Sequence, residues 1–228
     1  MRTTYLRTFL MGMALLAVAA CTDTGPVATG DVDITMRETS QLFAQVTGGI
    51  FASNAGVSDA AFAVDPDTVE TLVVRITRIE ALPANEADNE AQDGAWVSVT
   101  LAAPVLVDLA DLPTEGSSPL VIASGALAVG EYVNVRLFVD SAAITFTGTI
   151  AMGALTFDAG TTYQVTIPSG DQTGIKTDAA FTVAADGEGT ANDVDLLFSP
   201  TATFLNVTTT GAGTVILAPV IRSGGQGS

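Results

Sequence analysis

Residues 130–146 read GEYVNVRLFVDSAAITF, and this stretch decides the fold class. Val133, Val135, Leu137 and Val139 alternate with Tyr132, Asn134, Arg136 and Phe138, the period of two that sends successive side chains to opposite faces of a strand. The aliphatic set predicts one buried face. Asp140 and Ser141 then break the alternation and residues 142–146 begin a second β run, so the unit reads as strand, corner, strand.

The same alternation recurs on either side. Residues 31–37 place Val32, Ile34 and Met36 on one face, and residues 69–82 turn Leu72, Val74 and Ile76 inward. Residues 96–101 read as a strand with Val97, Val99 and Leu101 inward and Trp96 outward, followed by a second run at 105–109. A hairpin is expected from 149–157 and 161–167, with Tyr163, Val165 and Ile167 sharing a face. Further β runs fall at 175–183, 194–198, 204–208 and 214–221. Residues 83–94 carry Glu86, Asp88, Glu90 and Asp93 and read as a solvated loop, whereas 39–66 fits either a short helix or an irregular strand pair. Roughly ten strand-like runs separated by turn signals, with no helical period, predict an all-β fold, an antiparallel β-sandwich, in one domain over 31–222.

Apolar residues make up 48% of the chain and aromatic residues only 6%, so the core must be aliphatic. With 25 acidic against 8 basic residues the formal net charge is -17, which excludes nucleic acid as a partner, because phosphate binding needs a basic surface. Anionic headgroups would repel the chain as well, so attachment to a membrane has to be covalent.

The N-terminus supplies such an attachment. Arg2 and Arg7 precede an apolar run at 9–20 that is too short to span a bilayer, and Val18-Ala19-Ala20-Cys21 closes it. Residues 1–20 are thus expected to be a signal peptide. They resemble a bacterial lipoprotein signal, which implies cleavage before Cys21 and lipidation of that residue. Cys21 is the sole cysteine, so no intramolecular disulfide forms and packing alone must stabilise the fold. Residues 21–30 read as a flexible tether and 223–228 as a flexible tail. The expected location is the cell envelope, and Thr22 after the cysteine favours the outer membrane of a cell that has one.

Among candidate sites, the absence of histidine excludes Ser-His and Cys-His nucleophiles and histidine-ligated metals. Lys176, the only lysine, is expected to cap a turn or pair with a carboxylate. Trp96, Tyr132 and Tyr163 are the candidate ligand-binding residues, since aromatic faces exposed on a sandwich stack against sugar rings; packing beneath a loop is the commoner fate of such rings. Asp186, Glu188, Asn192, Asp193 and Asp195 surround Gly187 and Gly189 and form a candidate calcium loop of hard oxygen ligands. Their spacing is not that of an EF-hand, and the commoner origin of such a cluster is a hairpin turn whose polar residues face water. No other cofactor is implied.

The blocks VVRITRIEALP (73–83), WVSVTLAAPVLVDL (96–109), LAVGEYVNVRLFVD (127–140), VTIPSGDQTGIK (165–176) and LAPVIR (217–222) together resemble the domain of unknown function 4382, a family of envelope proteins. The resemblance covers most of 31–222. It implies an immunoglobulin-like or transthyretin-like sandwich behind a lipoprotein signal, with no established activity. The chain departs from it in an apparent insertion at 39–66 and a long acidic turn before Val194. Three readings of function follow. The first is a non-catalytic, lipid-anchored binding or adhesion module for a glycan, matrix polymer or partner protein. The second is a structural subunit assembling through sheet edges. The third is a hydrolase using two carboxylates.

Overall fold

The computed structural model describes residues 27–40, 61–168, 170–185, 192–205, 207–210 and 212–226. The expected signal peptide, Cys21, Asp186, Glu188 and residues 41–60 of the undecided stretch lie outside them. Among the described residues there are fourteen strands: β1 (Thr29–Glu38), β2 (Val69–Pro83), β3 (Val97–Val99), β4 (Val105–Asp108), β5 (Leu120–Ala128), β6 (Gly130–Phe146), β7 (Ile150–Met152), β8 (Leu155–Phe157), β9 (Thr162–Thr166), β10 (Ile175–Val183), β11 (Asn192–Phe198), β12 (Thr208–Thr209), β13 (Val215–Ile216) and β14 (Ile221–Gln226). One short helix, α1 (Pro200–Phe204), interrupts them.

One sheet runs β14-β11-β1-β5. The other is built on the long pair β2 and β6, with β3 and β4 along the free side of β2, and with β10 and β9 along the free side of β6; β9 continues to β13 and β12. β7 and β8 form a separate hairpin. The fold is all-β and rich in antiparallel pairs, as the alternation predicts. Two pairs, β1 with β11 and β9 with β13, run parallel instead, a feature that side-chain period cannot reveal.

Val32, Ile34 and Met36 of β1 and Val194, Leu196 and Phe198 of β11 share one apolar core with Leu72, Val74 and Ile76 of β2 and Val135, Leu137 and Val139 of β6. Each side chain of this kind stabilises the fold by about 1.5–3 kcal/mol on burial. The two long strands keep facing this core only because bulges reset their parity. On β6 the pairing with β2 skips Asp140, and the inward set changes from Val135, Leu137 and Val139 to Ala142, Ile144 and Phe146. The expected corner is therefore a bulge inside one continuous strand. A second bulge at Val133 reverses the face assignment read from the sequence: Tyr132 enters the core and stacks on Phe181 at 4.9 Å, while Val133 joins a smaller cluster with Leu82, Ala95 and Trp96.

Other boundaries differ for local reasons. β1 begins at Thr29, inside the expected tether, and the expected tail is strand as far as Gln226, because its backbone pairs with β11. The strand expected at 204–208 is shorter: Phe204 ends α1, which Pro200 opens and Ser199 caps, its Oγ accepting from Ala202 N at 3.3 Å; Val207 makes an isolated bridge to Phe62, and β12 begins only at Thr208. β9 pairs with β6, not with the run before it, which folds on itself as β7 and β8.

Asn192, placed by sequence in the candidate calcium loop, is a clamp. Its Oδ1 accepts from Ala184 N at 3.0 Å, and its Nδ2 donates to Asp31 O at 2.9 Å and Ala184 O at 3.2 Å, tying the end of β10 to β1 and β11. Asn192→Ala leaves part-buried backbone groups without these partners and is expected to cost about 1–2 kcal/mol, measured by urea denaturation.

Candidate interaction site

The outer face of the β2–β6 sheet carries a stack of cations and rings. Glu80 of β2 lies opposite Arg136 of β6, which in turn lies opposite Lys176 of β10. Arg136 Nε donates to Glu80 Oε2 at 2.6 Å, and Nη2 reaches Asp93 Oδ1 at 3.2 Å. The Arg136 guanidinium sits 4.3 Å from the Trp96 ring centre and 5.0 Å from that of Phe138, and Arg78 covers Phe138 at 3.7 Å. Lys176 pairs with Glu90 at 2.9 Å, the carboxylate partnership expected for it.

These contacts hold the 84–96 segment over the sheet. Trp96 Nε1 donates to Glu90 O at 2.9 Å, so the indole caps the segment that its own chain forms. The segment is solvated along most of its length, but it folds as 3-10 turns at Ala84–Asn89 and Asp93–Ala95 and ends in a buried tryptophan. Its two ends, Pro83 to Asn85 and Val97, form one side of an open cleft of about 410 Å³; the β5–β6 turn from Ala128 to Tyr132 forms the other. Tyr132 donates to Ala128 O at 3.0 Å, and burial raises its phenol above the ordinary value, which keeps it a neutral donor.

The three aromatic candidates are therefore not brought together. Trp96, only 7% exposed, lies under Arg136, Tyr132 lies in the core, and Tyr163 packs against Phe157 at 4.8 Å near Phe146. The outward Trp96 expected for sugar stacking is corrected: an arginine occupies the ring face that a sugar would need. Of the calcium candidates, Asp195 is ion-paired with Arg37 and accepts from Thr35 Oγ1 at 3.2 Å, while Asp193 lies beside Asp33 across the β1–β11 pair. Among the described residues no three acidic or thiol side chains converge on a metal position.

Glu38 has a raised carboxyl pKa, first from burial and second from the negative charge of Asp67. The folded chain thus holds that proton more tightly than the unfolded chain does. Stability is fullest below the ordinary value of 4.5 and falls as pH rises through the raised folded value. Glu38→Gln is expected to melt higher than wild type at pH 7, with the difference closing at acid pH in paired thermal melts.

Exposed apolar residues collect at sheet edges. Leu106, 68% exposed, is on β4, and Leu120 and Val121 are on β5. β4 and β3 border the same side of β2, and β5 ends the other sheet. β5 lies beside β3: a Cβ on Gly125 of β5 would stand 3.4 Å from Val99 Cγ1 of β3. Sequence reading missed this surface, because a lone leucine in a four-residue strand has the same signal whether it faces in or out.

No curated protein and no solved structure matches the chain. The family described as Domain of unknown function (DUF4382) matches residues 54–219, so β1 lies outside the matched part while the β2–β6 pair, the arginine stack and both edge strands lie within it. By that match over most of its length, the chain belongs to the DUF4382 family.

Proposed function

We propose that this protein is a non-catalytic cell-envelope lipoprotein, anchored by lipid on Cys21, whose β domain binds a partner protein through the edges formed by β4 and β5. The observation that carries the reading is Leu106, with Leu120 and Val121, on edge strands. Edges are ordinarily blunted by charge or proline, and apolar edges favour addition of a strand from another chain. The inward turn of Trp96 and Tyr132 favours a protein over a glycan. Thr22 after Cys21 favours the outer membrane of a cell that has one.

A second reading, self-assembly through the same edges, uses the same observation. Photo-crosslinking residues placed in turn at Leu106 and Val121 in intact cells separate the two. A discrete adduct with a different protein is expected; an adduct of the chain with itself supports self-assembly, and no adduct at either position overturns both.

A further inference from the structure

The chain leaves the described fold toward Cys21 at the cleft. Thr29 pairs with Ala128, and Val129 N donates to Ala28 O at 2.9 Å, so the residues that precede β1 lie beside the turn that forms the cleft wall. Seven residues, 22–28, separate Cys21 from Thr29. Fully extended they span at most about 25 Å, at roughly 3.5 Å per residue. Val129 and Val97, which line the cleft, are 43% and 39% exposed, and Val27, next to Ala28, is 73% exposed. On a link this short a weak contact becomes intramolecular, at an effective concentration of order millimolar, so a small apolar patch suffices to set orientation.

We propose that this end of the domain rests on the lipid surface: Val27, Val97 and Val129 around the cleft meet the interface of the membrane that holds Cys21, and the β4 and β5 edges stay free for the partner. The proposal rests on the reading that Cys21 is lipidated. The lipid it fits is zwitterionic, because Asp31 and Glu131, both exposed, stand at this end of a chain of net charge -17 and anionic headgroups would repel them. Apolar side chains seated at the interface supply the contact.

The test uses the processed full chain in phosphatidylcholine vesicles. Lipidation consumes Cys21, so Val129→Cys carries the sole free thiol; a fluorophore there reports quenching by spin-labelled lipid. Thr149→Cys, in the turn beyond the far end of β6, is the control. Quenching several-fold stronger at the Val129 position is expected, and Val27→Cys, outside any strand, repeats the readout if the first variant folds poorly. Equal quenching at both ends, with the protein bound to vesicles, overturns the orientation and leaves the anchor standing. A chain that does not float with the vesicles overturns the anchor, and the orientation with it.

Discussion

Arg136→Met is expected to cost about 3–5 kcal/mol, which for a domain of this size lowers the melting temperature by roughly 6–20 °C. Both members of the Glu80–Arg136 pair are nearly buried, at 7% and 4% side-chain exposure. Losing the arginine leaves the Glu80 carboxylate with Arg78, half exposed at 3.3 Å, as its remaining cation. The same substitution removes the guanidinium over Trp96 and the tie to Asp93, so the 84–96 segment loosens and the near-ultraviolet signal of the single tryptophan should weaken. Replacing both partners, Glu80→Leu with Arg136→Met, should recover most of the loss, because the cost lies in the stranded charge rather than in the absent bond. Lys176→Met on the same stack should cost under about 1 kcal/mol, since its pair with Glu90 is solvated. Thermal and urea melts of the four chains decide whether the stack is a buried charge site or a surface ornament.

Phe146→Ala is expected to cost about 3–5 kcal/mol by a different route. The ring is fully buried at the end of β6, edge-on to Phe157 at 6.1 Å and tilted to Tyr163 at 6.4 Å. Phe157 belongs to β8, so the cavity would open under the β7–β8 hairpin and free it as well as destabilise the core. Phe146→Leu keeps much of the volume and should cost clearly less. A hydrogen-exchange experiment on Phe146→Ala should find protection lost first in residues 150–157, and retained in β1 and β11.

Reading the sequence succeeded where alternation is uninterrupted. β10 is the clearest case, with Thr177, Ala179, Phe181 and Val183 buried and the residues between them exposed. It failed where one inserted residue changes parity. The bulge at Val133 moved Tyr132 from the polar face to the core, and no residue type at that point signals the shift, because Val-Asn fits a regular strand equally well. Trp96 was misplaced for a related reason: the 84–96 segment offers almost no apolar residue to announce that it packs, and it is held by ion pairs to Arg136 and Lys176, distant in sequence, and by the indole's bond to Glu90 O within the segment. α1 was legible after all in the Ser199-Pro200 start signal, and the strand reading of 204–208 overlooked it. The pairing of β14 was not legible, since a Ser-Gly-Gly run suits a tail and a strand edge alike.

The proposed location and the proposed orientation both depend on the covalent anchor at Cys21. The direct measurement is mass spectrometry of the mature protein extracted from membranes. The expected result is an N-terminal peptide that begins at Cys21 and carries acyl chains. A mature chain recovered from the aqueous fraction, with Cys21 present as an unmodified thiol, would contradict it.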